Sequence, residues 1–285
     1  MKTIRSPYAL VLGLFVLLLI MHVFEYFVMR TDQSFWGEAF VHKLLGIGIL
    51  FAVLPWLGLS ARAIGFGGGV KGAWRGFSRG LGLGMAIYAL VYFGEWLLLY
   101  QAGLAPTLSV YVSAYAVEGN VGQRTGAIFF VLCVLGNLIN VCMEEGVFRG
   151  LFQKVLEARH SVLMASILAS VLFGLWHGAS PFRSWLDGQM SGMDTIIYSV
   201  MLMVTATLVG FKFAMLTRIS GSLWFAMGDH FANNFLINVL HITSDGGADA
   251  WLSARVGVAQ TLSFVVVAVW YWSLYGCKGA CSSRR

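Results

Sequence analysis

Residues 125–157, TGAIFFVLCVLGNLINVCMEEGVFRGLFQKVLE, form a run with no proline in which a long apolar stretch is followed by Glu144, Glu145 and Arg149. A bilayer core about 30 Å thick takes roughly 20 apolar residues as helix, so this stretch predicts a membrane span with ionisable groups inside it. Such groups cost at least about 2.5 to 3.5 kcal/mol each at a helix centre, which makes each of them a candidate for function.

The rest of the chain agrees with that start. Of its 285 residues 58% are hydrophobic and only 11% charged, with a mean hydropathy of +0.77, whereas an average soluble protein is about a quarter charged. A soluble globular fold, disorder, collagen, a coiled coil and a disulfide scaffold are all excluded. Cys133 and Cys142 lie in apolar sequence, and Cys277 and Cys281 in a basic tail that is not a prenylation box. The expected fold is all-α, a polytopic membrane bundle of about eight transmembrane helices around an intramembrane polar cavity. Spans are expected near 8–29, 40–59, 80–100, 125–157, 161–177, 195–217, 222–241 and 252–275 of a single integral membrane domain, 1–285, whose core is 125–241. The first run follows Lys2 and Arg5 as a signal peptide would, but it outlasts the 7 to 15 apolar residues typical of one.

The net charge of +6 does not point to nucleic acid, because no solvated domain gathers the basic residues. It points to orientation. With the N-terminus cytoplasmic, inside segments hold fourteen of the 19 Lys and Arg: Lys2, Arg5, Arg62, Lys71, Arg75, Arg79, Arg149, Lys154, Arg159, Lys212, Arg218, Lys278, Arg284 and Arg285. Outside segments hold Arg30, Lys43, Arg124, Arg183 and Arg255. This bias predicts both termini in the cytoplasm. The glycine-rich stretch from Ala63 to Gly80 is expected to be a flexible cytoplasmic loop, since a phosphate-binding fingerprint needs a strand before it and a helix after it.

Most polar residues within the spans have an ordinary reading. His22, Glu25, His42 and Glu95 stand toward the expected outer ends, where snorkelling and interfacial water account for them. Three clusters do not. Glu145 and Arg149, four apart, stack on one helix face in the favoured acid-first order and predict an ion pair. Glu144 is rotated about 100° away, on the face of Asn140 and Asn137. Next comes Phe173-Gly174-Leu175-Trp176-His177, then a stripe of His230, Asn234 and Asn238. The 33 residues from Glu144 to His177 fold back near Glu157–Ser161, so a helical hairpin returns the two side chains to similar depth. A polar pocket opening toward the cytoplasm is the joint expectation.

In these residues the chain resembles the CPBP family of intramembrane proteases, which includes the CAAX prenyl endopeptidases and the Abi proteins. The family pattern, Glu-Glu-x-x-x-Arg, Phe-x-x-x-His and His-x-x-x-Asn/Asp on successive helices, is complete here as Glu144-Glu145 to Arg149, Phe173 to His177 and His230 to Asn234. The resemblance covers about residues 125–241 and implies a multi-helix endopeptidase with its site inside the bilayer, acting on a membrane-associated protein or peptide with membrane lipid around it. Glu144 would activate water, His177 would position it, and His230 with Asn234 would donate to the oxyanion while Glu145 and Arg149 hold the helix. A zinc site of two histidines and a glutamate, with Glu145 as base, is the competing mechanism. The usual His-Glu-x-x-His string is absent, and the metal-free site is favoured. Two other functions remain open: a secondary transporter with a Glu/His relay, and a non-cleaving immunity or scaffold protein of the same fold.

Overall fold

The structure is a computed structural model and describes residues 6–113, 124–244 and 247–282, with side chains through Gly276. The readings made of Lys2, Arg5, Arg284 and Arg285, and of the Cys277 and Cys281 thiols, lie outside those residues. Helix α1 is Pro7–Phe24, started by Ser6, whose hydroxyl accepts from the Ala9 amide, and by Pro7 at the first helical position. A π-helical turn, Glu25–Met29, closes it, and Arg30 follows at φ 51°. Helices α2 (Val41–Trp56) and α3 (Gly69–Gln101) lead to strand β1 (Pro106–Val110). Helix α4 (Ala127–Glu144) runs into a second π segment, Glu145–Phe152, and the short α5 (Gln153–Leu156). After α6 (Val162–His177) and α7 (Ser180–Leu186), α8 (Gly192–Ser220) turns through Gly221 at φ 67° into α9 (Leu223–Val239). Strand β2 (Leu240–Ser244) pairs antiparallel with β1, Pro106 opposite Ser244, and α10 (Leu252–Ser282) follows.

The protein is an integral membrane helical bundle. Among the described residues six helical stretches are long and apolar enough to cross a bilayer; α2 and α9, at 16 and 17 residues, are shorter. The outward side chains are those of a lipid-facing belt. On α1, Leu12, Val16, Ile20 and Phe24 are exposed, while Val11, Phe15 and Leu18 pack into a core with Leu50 of α2, Val147 and Phe148 of the π segment and Phe173 of α6.

The glycine-rich stretch departs from the loop expected of it. From Gly69 onward it is helix, extending α3 about three turns before the expected span. Its glycines serve close approach. A Cβ on Gly80 would lie 2.0 Å from the Phe225 carbonyl oxygen, and one on Gly228 would lie 2.0 Å from that of Phe77. Helices α3 and α9 thus touch backbone to backbone, the arrangement that small residues permit in membranes. Because α9 carries His230 and Asn234, this contact sets where the third motif stands.

Charges counted as loop residues also prove buried. Arg149 and Lys212 on the expected inner side, and Lys43, Arg183 and Arg255 on the outer, are all under 9% exposed and paired with acids. Without these five the basic bias is twelve against two, so the charge asymmetry survives their removal. Glu95 is not snorkelling either. Its carboxylate takes two bonds from Arg255, at 2.6 and 2.9 Å, and Arg255 also pairs with Asp249. His241 is fully buried, stacked on Tyr111 with ring centroids 3.9 Å apart and 3.3 Å from Asp249.

Two predictions follow from this packing. Gly80→Ala and Gly228→Ala should each destabilise the protein by about 1 to 3 kcal/mol or more, read as a lower melting temperature in detergent. Gly82→Ala, with open space at its Cβ, should be neutral or stabilising. At Asp249, burial raises the carboxyl pKa, but hydrogen bonds from His241 and Arg255 outweigh it and hold the pKa below the ordinary value of 3.8. Its contribution to stability is therefore present above the unfolded pKa and is lost as the pH falls through the lower folded one. Thermal melts down to strong acid should show this loss, and Asp249→Asn should flatten it.

Candidate active site

The π segment that follows Glu144 is the local feature on which the site is built. Turns of this kind occur mostly singly, within α-helices and often at functional positions. Here the turn is lined by Gly146 and Gly150: a Cβ on Gly146 would press on Leu50 at 2.7 Å, and one on Gly150 would stand 3.1 Å from the Ile64 carbonyl oxygen. The acids therefore sit where neighbouring segments pack closely against the main chain.

Glu145 is wholly buried and holds two partners. Its Oε1 is 3.2 Å from Arg149 Nη1 and 2.9 Å from His230 Nδ1. Arg149 is fixed in turn by its Nε–H, which donates to the Gly210 carbonyl at 3.3 Å, and by the Phe173 ring, whose centroid is 3.9 Å from the guanidinium carbon. Gly210 is required at that point, because a Cβ there would be 2.9 Å from Arg149 Nη2. Thus Phe173 supports the arginine of the first motif.

Glu144 is 4% exposed and more lightly held. Asn140 Nδ2 donates to its Oε2 at 3.4 Å, and His230 Nε2 stands 3.5 Å from the same oxygen. The His230 ring bridges the two glutamates and lies stacked on Phe213, centroids 4.6 Å apart. His177 ends α6, where its Nδ1–H donates to the Phe173 carbonyl at 2.8 Å. That bond selects the tautomer with an accepting Nε2, and the ring lies within electrostatic reach of Glu144 and His230.

Asn234 is oriented by groups that the sequence reading did not single out. Tyr88 Oη–H and Gln260 Nε2–H both donate to Asn233 Oδ1 at 2.5 Å, which turns Asn233 Nδ2 toward Asn234 Oδ1 at 2.9 Å. With its oxygen taken, Asn234 keeps Nδ2 as a donor that has no partner among the described residues. Beneath His230, Lys212 and Asp229 form a buried pair at 2.6 Å. Opposite charges at 212 and 229 in adjacent apolar spans were an available signal for it. Glu25, His42 and His22, expected to be solvated, are instead joined to one another inside the protein.

The structure opens a narrow cleft near this group rather than around it. Asn137 and Asn238 line it, with Trp36, Glu38 and Arg124. Asn137 is two turns before Glu144 on α4, and Asn238 is one turn past Asn234 on α9, so two facing polar stripes run from the cleft to the glutamate. The mouth lies at the helix ends opposite the Arg62–Arg79 stretch. This cleft therefore does not lie on the side of the Arg62–Arg79 stretch, where the sequence reading expected an opening. Among the described residues no group of three His, Cys, Asp or Glu side chains is placed to hold a metal ion. Both ring nitrogens of His230 face carboxylates, and the donors as placed do not fit a three-ligand zinc site.

In a comparison with known families, residues 126–236 fit the family described as Rce1-like, type II CAAX prenyl endopeptidase. The match contains all three motifs. No curated protein matches the chain.

The geometry separates the two glutamates by substitution. Glu145→Gln leaves Arg149 buried without its counter-charge, which typically costs about 3 to 5 kcal/mol, so yield and melting temperature should both fall. Glu144→Gln keeps a neutral acceptor for Asn140 and should leave the melting temperature nearly unchanged.

Proposed function

We propose, from the match of residues 126–236 to the Rce1-like type II CAAX prenyl endopeptidase family, that the protein is an intramembrane endopeptidase in which Glu144 activates water. The observation that carries this reading is the contrast between the glutamates: Glu145 is locked by Arg149 and His230, whereas Glu144, beside it, has only long contacts and is left able to exchange a proton.

In the proposed reaction a water between Glu144 and His177 Nε2 gives its proton to the Glu144 carboxylate as its oxygen attacks the scissile carbonyl. His230 Nε2–H and Asn234 Nδ2–H donate to the oxyanion, positions that a low-dielectric site makes effective. Collapse of the tetrahedral intermediate breaks the C–N bond, and the Glu144 proton passes to the leaving amine. Arg149 and a His230 imidazolium balance the two carboxylates, so the buried group as a whole is neutral. Tyr88, Gln260 and Asn233 act as positioning residues for the Asn234 donor. The substrate is a membrane-associated protein or peptide, which reaches the site along the cleft and the stripe of Asn137 and Asn140. With both termini in the cytoplasm, as the basic bias favours, that approach is from the opposite face; cysteine labelling from each side tests the orientation.

The membrane peptidome of cells holding Glu144→Gln, compared with wild type, should show uncleaved substrate retained. On a substrate so identified, Asn234→Ala should lower kcat by about 10² to 10³ with an unchanged melting temperature. Cleavage should survive exhaustive chelation. Loss of activity to chelators with recovery on added zinc would replace this mechanism by a metal one, and unimpaired cleavage by Glu144→Gln would end the assignment of the base.

A further inference from the structure

The N-terminal helices, outside the matched family segment, carry a second buried acid and histidine group against the site. Glu25, at the π turn that ends α1, is 1% exposed and accepts from four donors: the Thr31 hydroxyl, the Val41 amide at 2.9 Å, the His42 amide at 2.5 Å and His42 Nδ1 at 2.6 Å. On the other side of the same ring, His42 Nε2 meets His22 Nδ1 at 3.0 Å. The His22 ring stacks on Trp176, the neighbour of His177, with centroids 4.4 Å apart. His22 is within electrostatic reach of His177, and His42 of Glu144. The other charged neighbours are Lys43, bonded to Glu38, and Arg183, which covers the Tyr26 ring beside His22.

A carboxylate and two imidazoles joined ring nitrogen to ring nitrogen are more than hydrogen-bond satisfaction of a helix end needs. Thr31 and two backbone amides already supply Glu25 with three donors, yet two further titratable rings are aligned from it toward the site. A continuous chain of such groups has one chemical use that a packing contact lacks, which is to move a proton without moving an atom of the backbone.

We propose that Glu25, His42 and His22 form a proton relay between the site and the exposed loop at Gln33 and Ser34. Glu144 must be a carboxylate before a water can be activated, and the relay lets a proton held at the site equilibrate with water at the loop. A proton added at His22 Nε2 sends the Nδ1 proton of His22 to His42 Nε2, the Nδ1 proton of His42 passes to Glu25 Oε2, and the proton leaves past the half-buried Thr31 hydroxyl, which bonds Glu25 Oε1, to water at the loop. One proton enters and one leaves, with no change of oxidation state. All three are positioning and transfer residues outside the reacting atoms. The relay rests on the endopeptidase reading for its purpose, but not for its existence.

The test has two arms. With a cleavable substrate, His22→Ala should lower kcat about tenfold or more and leave KM unchanged. Imidazole should restore the rate, whereas pyrazole, of the same shape but far less basic, should not. Rescue by both compounds, or by neither, overturns the relay, as does an unchanged kcat. Without any substrate, 15N spectra of the histidines in detergent-solubilised protein should show His22 and His42 sharing one proton, with Glu25→Gln altering both rings together. Independent titration of the two rings overturns the relay even if peptide is cleaved. Failure of the wild type to cleave any peptide, with coupled rings still present, falls instead on the endopeptidase reading.

Discussion

Among the described residues every buried charge stands beside an ionisable group of opposite sign, because the bilayer supplies no water to solvate one that lacks it. Glu145 is where that requirement shapes most of the site. Arg149 comes from its own helix and His230 from α9, so a single carboxylate ties the first motif to the third. Phe173 then ties in the second, its ring under Arg149 and its carbonyl on His177. Removing the ion pair would free all three helix segments at once, which is why its role is best described as assembly of the site rather than as a local bond.

The same requirement explains why Glu144 differs from its neighbour. Two adjacent acids in a low-dielectric interior cannot both be held by one arginine, and the π turn leaves the arginine on Glu145. What remains for Glu144 is an asparagine at 3.4 Å and an imidazole nitrogen at 3.5 Å. Loose contacts suit a group that must change protonation, while tight ones suit a group that must not. The glycine contacts between α3 and α9 complete the arrangement from behind, since backbone touching backbone permits little sliding of the helix that carries His230 and Asn234.

The outer end follows the same physics with different residues. Arg255 gathers Glu95 and Asp249, Arg183 meets Asp32, and Glu25 gathers His42 and His22. Glu95, Glu25, His42 and His22 looked like isolated interfacial residues when only position along a span was considered. The partners in these groups lie 6 to 160 residues apart in sequence, and those at short range are separated by a turn that hydropathy does not describe.

Hydropathy and spacing by themselves established the membrane class, the approximate spans and the pairing of Glu145 with Arg149. These are local properties: an apolar run long enough to cross a bilayer has few alternatives to a helix, and residues four apart on a helix are neighbours whatever surrounds them. The ordered motifs likewise marked Glu144, His177, His230 and Asn234 before any contact was known. Tertiary structure alone decided that Ala63–Gly80 is largely a packed helix, since a glycine run reads the same whether it bends freely or admits another backbone. It alone decided that His230 bridges both glutamates, that Asn233 orients Asn234, and that the cleft opens away from the Arg62–Arg79 stretch. Those outcomes depend on which helices are adjacent and how they are rotated, and the periodicity of a helix that is apolar on nearly every face carries almost no information about either.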